Sequence, residues 1–556
     1  MSNAATPLAT ARSTPEPRDN SSRYVRLGTR YRPQRVEQDY DAIIVGSGIG
    51  GLTTAALLSQ QGYRVAVLEQ HYTAGGFTHA YANGGYEWDV GVHYIGDVGH
   101  PRAPLRRLFD QISEGRLQWA PMDPCYDRIW IGEQSYDLIA GRQEFKASLL
   151  QHFPQAEKVL DRYLGLLDQV NKAMPLYTTS RLLPDLLNRA WSPLQKQLLP
   201  KFMFQTTAQV LDSLTDDPQL KAVLAGQWGD YGLPPKRSSF LMHATVVRHY
   251  LRGAFYPVGG ASRIAASIIP TIQQGGGDVF TYADVAEILV HRGKAIGVRM
   301  ADGQEIRARQ VISNAGFQIT MEQLLNENAR AQADYQRRSH QVESSMSHQC
   351  LYIGLNASDE QLGLPKTNYW LYPSADYDGD TERFLENSEA EFPLVYISFP
   401  SSKDPDWPNR HPGKSTIEIV APAPYQWFSQ WQDKPWGKRG ADYDALKAQW
   451  SERLLAHLYR HFPQTRAHVD FHELSTPLST QYFCRYQQGE IYGLNHTPQR
   501  FQTRWLGPRT PIGNLYLTGQ DALTAGVGGA LIGGVFAAAA VTGGLKAARI
   551  MKPLVA

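Results

Sequence analysis

Residues 41–51 read DAIIVGSGIGG, and no other stretch constrains the fold of this chain as tightly. Asp41–Val45 is a β-branched run of the kind found in a buried parallel strand. Gly46, Gly48 and Gly51 then supply the spacing G-x-G-x-x-G as the chain turns into a predicted helix over Leu52–Gln61. The first glycine permits a tight turn, the second lets a pyrophosphate approach the backbone, and the third lets helix and strand pack closely. A phosphate there meets free N–H groups and the positive end of the helix dipole. A second predicted strand, Arg64–Leu68, follows Gly62 and delivers Glu69, 18 residues beyond Gly51. Its carboxylate is placed to accept hydrogen bonds from a ribose diol, so the unit predicts a bound dinucleotide.

Two further features narrow the choice of dinucleotide. Ala74-Gly75-Gly76 places a second glycine pair just after Glu69. Near the other end, a predicted strand Asn514–Gly519 leads through Gln520-Asp521 into Gly526-Val-Gly-Gly-Ala-Leu531, the start of a small-residue helix. Together these resemble the FAD-binding amine oxidase and phytoene desaturase superfamily. The resemblance implies FAD held by Gly46, Gly48, Gly51, Glu69, Gln70, Gly75, Gly76, Val285, Gly519, Asp521, Gly528, Gly529 and Ala530. It implies Asp521 on the ribityl chain and the Val285 backbone on the adenine. Ala522 to Leu545 is apolar and long enough to raise a membrane span, and Gly529-x-x-x-Gly533 is a helix-packing spacing. Its apolarity is mostly Ala and Gly, which insert poorly, so close packing against a sheet is expected.

Charge is nearly balanced, with a net of +2 over 556 residues, so no global field argues for nucleic acid. Cys125, Cys350 and Cys484 lie far apart with no C-x-x-C, so neither a disulfide framework nor a metal site is expected. A reducing, cytoplasmic setting follows, with peripheral contact to a membrane. Met1 to Gln38 is rich in Ser, Thr, Pro and Arg and has no apolar h-region; a disordered tail rather than a secretory signal is expected.

The middle of the chain interrupts the nucleotide unit. Tyr126–Ile131 and Ser135–Ile139 read as strands around Gly132, and helical patterns run from about Phe145 to Met174 and from Leu182 to Leu214. A helix over Ala261–Gln274 precedes strands at Asp278–Tyr282, Val285–Arg292, Ala295–Met300, Glu305–Ala308 and Val311–Ala315, with Asp302-Gly303 as a hairpin turn. The fold class is α/β: a Rossmann-type FAD domain assembled from residues 39–100, 253–320 and 505–550. Residues 101–252 and 321–504 form an inserted sheet-plus-helix substrate domain with membrane-contact helices.

Within the superfamily, Glu87-Trp-Asp-Val-Gly-Val-His-Tyr-Ile-Gly96 resembles the retinol saturases, as do Gly253–Gly260 and Phe399–Trp407. Thr476-Pro-Leu-Ser479 and Gly489–Gly493 belong to the wider carotenoid desaturase and isomerase pattern. Phe77-Thr78 stands where two cysteines are expected in animal retinol saturases. The resemblance implies an FAD-dependent saturase of a conjugated isoprenoid. A carotenoid isomerase or desaturase shares every FAD motif, and a flavin-less prenyl-binding escort shares the fold. Saturation needs a hydride on one carbon and a proton on the next, so a proton donor must lie within hydrogen-bond reach. The family pattern points to His93, Tyr94, His249 and Tyr256 near the flavin. Arg181 to Gln205 interleaves leucines and aromatics with Arg189, Lys196 and Lys201, which fits an interfacial segment admitting a hydrophobic polyene. The electron donor or acceptor is left open.

Overall fold

The structure, a computed structural model, describes residues 25–37, 39–183 and 185–555. The run Asp39–Val45 lies inside an eight-stranded sheet, parallel to Val65–Leu68 on one side and to Glu305–Ser313 on the other. The sheet order is Thr29–Arg30, Asp278–Thr281, Val65–Leu68, Asp39–Val45, Glu305–Ser313, Lys294–Met300, Val285–His291, with Leu515–Leu517 also pairing to Glu305–Ser313. Three separated stretches of chain therefore build one sheet. Residues 1–24 of the expected tail lie outside the described residues. Thr29–Arg30, placed in that tail by the sequence reading, instead pairs in parallel with Phe280–Thr281 as the sheet edge. The two strands expected over 305–315 are one nine-residue strand, because Ala308 and Gln310 stay paired with Tyr40 and Ala42 between them.

The helix after the fingerprint runs Ile49–Gln60 and buries every residue but Gln60. It has no polar face because it is enclosed by the sheet, by helix Ser262–Gln274 and by helix Gly526–Thr542. The last crossing is glycine on glycine: a Cβ on Gly534 would lie 2.6 Å from the Gly50 carbonyl oxygen, and one on Gly533 would lie 2.4 Å from that of Gly519. Gly529 takes no part in it, its missing Cβ facing Thr524 Oγ1 of its own loop. Among the described residues no helix is long and apolar enough to cross a membrane.

The second sheet has seven strands, in the order Val469–Ser475, His348–Leu355, Ser415–Pro422, Val395–Ser398, Asn368–Tyr372, Cys125–Ile131, Gln134–Ile139. Strand alternation sorts its residues onto two faces. Ile353, Leu371, Ile397, Ile417 and Ile419 pack with Trp450, Leu454 and Leu458 of helix Ala441–His461. Trp370, Tyr372 and Tyr396 point the other way, into a layer formed by helices Glu157–Leu182 and Phe240–Tyr250. Glu418 falls between Ile417 and Ile419, so the same rule turns its carboxylate toward that second layer. The helical runs expected over 145–174 and 182–214 are broken into Arg142–His152, Glu157–Leu182, Asp185–Leu198, a 3₁₀ turn at Lys201–Phe204 and Thr207–Asp212. Pro154 and Pro200 stand at two of these breaks, where a missing N–H and a restricted preceding residue end a helix. A small sheet of Ile95–Gly96, Ala254–Pro257 and Trp119–Pro121 joins stretches from both sides of the boundaries expected at 100 and 253.

Candidate active site

A cavity of about 960 Å³ begins at the carboxyl ends of Asp39–Val45 and Val65–Leu68 and continues to the inner face of the second sheet. The carboxyl edge of parallel strands is where ligands of open α/β sheets bind. Of the cofactor residues read from the sequence, all line this cavity except Gly51 and Gly75. Gly51 works behind the wall, since a Cβ there would lie 2.3 Å from the Gly46 carbonyl oxygen and force helix from strand. Gly46 itself holds φ +94, the left-handed turn that frees the helix start.

Two helix N-termini open on the cavity. Neither Gly48, before Ile49–Gln60, nor Ala525, before Gly526–Thr542, caps its helix with a side chain. The N–H groups of both first turns are thus available to an anionic ligand. Glu69 is held rigidly: its Oε2 accepts the Ser47 N–H and the Ser47 hydroxyl, each at 2.8 Å, and its Oε1 accepts the His71 N–H at 2.8 Å. Ser47 Oγ in turn accepts the Gly75 N–H at 3.0 Å, tying the second glycine pair to the fingerprint. Asp521 is buried and accepts the Phe317 N–H at 2.7 Å and the Leu494 N–H at 3.0 Å. Its carboxylate thereby fixes three chain segments around one point of the wall. Gln70 donates to the Phe483 carbonyl at 3.2 Å, and Val285 begins its strand just past Ala283, whose N–H bonds to the Glu69 carbonyl. Two uncapped helix ends and a buried, preorganised carboxylate suit a dinucleotide with a pyrophosphate and a ribose diol.

Ser47 and Asn314 were not singled out by the sequence reading. Asn314 Oδ1 lies 2.8 and 2.5 Å from where Cβ atoms on Gly50 and Gly519 would stand, and its Nδ2 lies 2.7 Å from one on Gly48. Three close-approach glycines around one amide were the available signal.

Away from the cofactor end the lining turns apolar, with Leu167, Val170, Met174, Met242, Val246 and Leu394. His93, Tyr94 and His249 line the cavity, and Tyr256 does not. The Tyr256 hydroxyl donates to Asp89, whose other oxygen accepts the Ala261 N–H at 2.9 Å. Tyr256 thus braces the wall from behind, where the other three face the cavity. His93 Nδ1 lies 2.8 Å from Glu418 Oε2, and Glu418 Oε1 accepts the Asp89 N–H at 2.7 Å. Burial pushes Glu418 up to about 8 and His93 down to about 3, so it disfavours the charged form of each. Lys403 Nζ donates to the His93 carbonyl at 3.0 Å, to Ser398 Oγ at 2.7 Å and to Asn368 Oδ1, while burial lowers it to about 7. His249 Nε2 accepts the Gly96 N–H at 2.7 Å, which puts the proton of the neutral ring on Nδ1. Burial lowers this ring to about 4, and its Cε1 lies 3.8 Å from where a Cβ of Gly528 would stand. Tyr94 stacks on Tyr250 with centroids 4.1 Å apart and planes 5° from parallel.

The family described as flavin containing amine oxidoreductase matches residues 49–542. The all-trans-retinol 13,14-reductase of Danio rerio is 38% identical over 518 residues, covering 90% of this chain and 85% of that protein. Its counterpart in Rattus norvegicus is 37% identical over 548 residues, covering 95% and 90%. Among solved structures, an oxidoreductase from Methanosarcina mazei has the same fold, with a TM-score of 0.59 at 17% identity over 89% of this chain and 98% of that one. A family match that runs from the helix after the fingerprint through the C-terminal helix, with relatives 37–38% identical over most of the chain, makes the chain a member of the flavin-containing amine oxidoreductase family, with FAD as its cofactor.

Proposed function

We propose that the chain is an FAD-dependent oxidoreductase that saturates a C=C bond of a hydrophobic conjugated isoprenoid, as the all-trans-retinol 13,14-reductases do. The observation that carries this reading is the continuity of the cavity: one space joins the two uncapped helix ends to an apolar, aromatic chamber. Residues 39–100, 253–320 and 505–550 supply most of the cofactor half, and residues 101–252 and 321–504, together with His93 and Tyr94, supply the chamber. When FAD is bound, Glu69 would accept from its adenosine ribose, the first turns at Ile49 and Gly526 would hold its anionic and flavin ends, and Asp521 would hold its ribityl chain. Reduced FAD supplies a hydride to one carbon of a conjugated alkene.

The protein's own part is to bind, flatten and dry the substrate. The Tyr94–Tyr250 stack is a planar wall against which a polyene can lie. His249, neutral and beside Gly528, offers a Nδ1–H at the junction of the two halves. The apolar lining excludes water, which protects the reduced cofactor and strengthens each polar contact made there. Leu194 and Leu198 are 49% and 56% exposed on helix Asp185–Leu198 and support a peripheral contact with lipid as the route of entry. The flavin is reduced by an external donor.

Anaerobic mixing of the reduced holoprotein with all-trans-retinol tests the reading. Flavin reoxidation matched by a shortened polyene chromophore is the expected result. A changed polyene over a flavin that stays reduced means an isomerase, and a protein that binds no flavin is an escort.

A further inference from the structure

We propose that Asp230 is the proton donor of the reduction, passing its carboxyl proton to the alkene carbon that does not receive the hydride. The inference rests on the saturase reading. Asp230 ends the 3₁₀ turn Trp228–Asp230 and lines the apolar cavity. The turn is fixed by Tyr492, whose hydroxyl donates to the Gly229 carbonyl at 2.8 Å. Asp230 Oδ2 lies 3.0 Å from the Tyr94 hydroxyl, and that same hydroxyl lies 3.0 Å from Asp127 Oδ2. One hydroxyl has one proton to give, so two carboxyls compete for it.

The competition is uneven. Asp127 also accepts the Asn368 side-chain N–H at 3.0 Å and the Gln227 side-chain N–H at 2.7 Å. Lys403 bonds to the oxygen of that same Asn368 amide and polarises it toward Asp127. Among the described residues the Asp230 carboxyl has Tyr94 alone. Two acids so close do not both ionise in a buried site, and the better-solvated one takes the charge. Burial and the Asp127 charge accordingly hold the Asp230 carboxyl well above the ordinary carboxylate range, while Asp127 rises to about 6. The other groups that face Asp230 are the phenols of Tyr94, Tyr231, Tyr250, Tyr372, Tyr396 and Tyr492, all of them raised by burial.

The neighbouring side chains are poor sources of a proton. His93 and His249 are neutral, and the Tyr94 and Tyr256 hydroxyls are committed to carboxylates. Asp230 stands at the edge of the Tyr94–Tyr250 wall, and that wall leads to the cofactor end: the Tyr250 ring meets His249 at 4.6 Å, and His249 sits beside Gly528. The step balances as follows. The π bond breaks, a hydride from reduced flavin brings the electron pair to one carbon, and the Asp230 O–H bond breaks as the C–H bond forms on the other. The products are the saturated bond, oxidised flavin and an Asp230 carboxylate, which regains a proton from solvent.

Asp230→Asn keeps the shape and hydrogen bonding but has no acidic proton. Infrared difference spectra of the substrate-free holoprotein should show a protonated-carboxyl band that shifts in D₂O and is lost in this variant. With flavin content unchanged, all-trans-retinol should reoxidise the reduced variant at least about 100-fold more slowly, with KM within a few-fold. Asp127→Asn is the second arm. It removes the anion that raises Asp230, and turnover requires the protonated acid, so the fall in rate with rising pH should begin at lower pH than in the wild type. No protonated-carboxyl component in the difference between wild-type and Asp230→Asn spectra, or wild-type reoxidation by that variant, overturns the proposal. So does a raised KM at unchanged kcat, which would make Asp230 an anchor for the substrate hydroxyl. Slowing seen instead in His93→Gln, with Asp230→Asn intact, moves the donor to the Glu418–His93 pair. A wild-type protein that shows the band but whose reduced flavin does not react with retinol refutes the saturase reading itself, and the donor role with it.

Discussion

Replacing Glu69 tests the cofactor site at the atom level. The carboxylate accepts from Ser47 on one oxygen and from His71 on the other. Glu69→Gln must therefore turn its NH₂ toward one N–H group or the other. The Ser47 contact is buried and the His71 contact is partly open to solvent, so the amide nitrogen should face His71 and the oxygen should stay on Ser47. The ribose diol then meets a neutral acceptor in place of a charged one. Hydrogen bonds to charged groups contribute about 1.5–3 kcal/mol and neutral ones about 0.5–1.5. The loss of about 1–2 kcal/mol corresponds to FAD binding about 5–30-fold weaker. Glu69→Ala removes every acceptor, and about 3 kcal/mol or more should weaken FAD on the order of 100-fold. The assay is titration of apo-protein with FAD, followed by flavin fluorescence. FMN is the control, because it has the ribityl phosphate but no adenosine diol. Its affinity should be unchanged in both variants. FAD affinity within two-fold of wild type, or an equal loss for FMN, would refute the role given to Glu69.

Gly50→Ala should destabilise the fold by about 1–3 kcal/mol or more, because its Cβ would lie 2.5 Å from the Gly519 Cα, where no side-chain rotation gives relief; denaturant unfolding measures it. Lys403→Met leaves the acceptors on His93, Ser398 and Asn368 without their donor and should cost about 1–3 kcal/mol or more, a loss that an unchanged unfolding midpoint would contradict. Tyr256→Phe should leave turnover per bound flavin intact while removing a donor that favours the Asp89 anion. Burial already raises Asp89 to about 7, and the lost bond raises it further. A carboxyl raised on folding loses its stabilising effect as pH rises through the folded value, so the stability deficit of Tyr256→Phe should be larger at about pH 8 than at about pH 6. An equal deficit at both would show that the bond acts by packing alone.

The cofactor half was readable because its recognition is local. The turn at Gly46, the close approach at Gly51 and the second strand that carries Glu69 all lie within 24 residues of chain, where spacing alone fixes geometry. Even there the reading had limits. Gly529 was matched to a packing motif that the structure assigns to Gly533 and Gly534, since one face of a helix is shared by several glycine registers. The inner lining of the chamber was not readable, because it depends on which face of the second sheet each strand residue occupies. The register that turns Glu418 inward between Ile417 and Ile419 is set by pairing with His348–Leu355 and Val395–Ser398.

Proton chemistry is less local still. His93, Tyr94 and His249 have the residue types expected of an acid, and all three border the cavity. Burial removes their charge or commits their protons, so the property that made them candidates in the sequence is cancelled by the place the fold gives them. Asp230 shows the converse. Nothing in Trp228-Gly-Asp marks it as an acid, and an isolated aspartate is ionised at neutral pH. It holds a proton because Asp127 arrives on the strand Cys125–Ile131 with Asn368 and Gln227 already donating to it, and takes the charge that Asp230 would otherwise carry. The donor is thus a property of a pair joined only by tertiary structure. A substitution at Asp127, which does not line the cavity, is accordingly the change that should move the pH dependence without removing the acid.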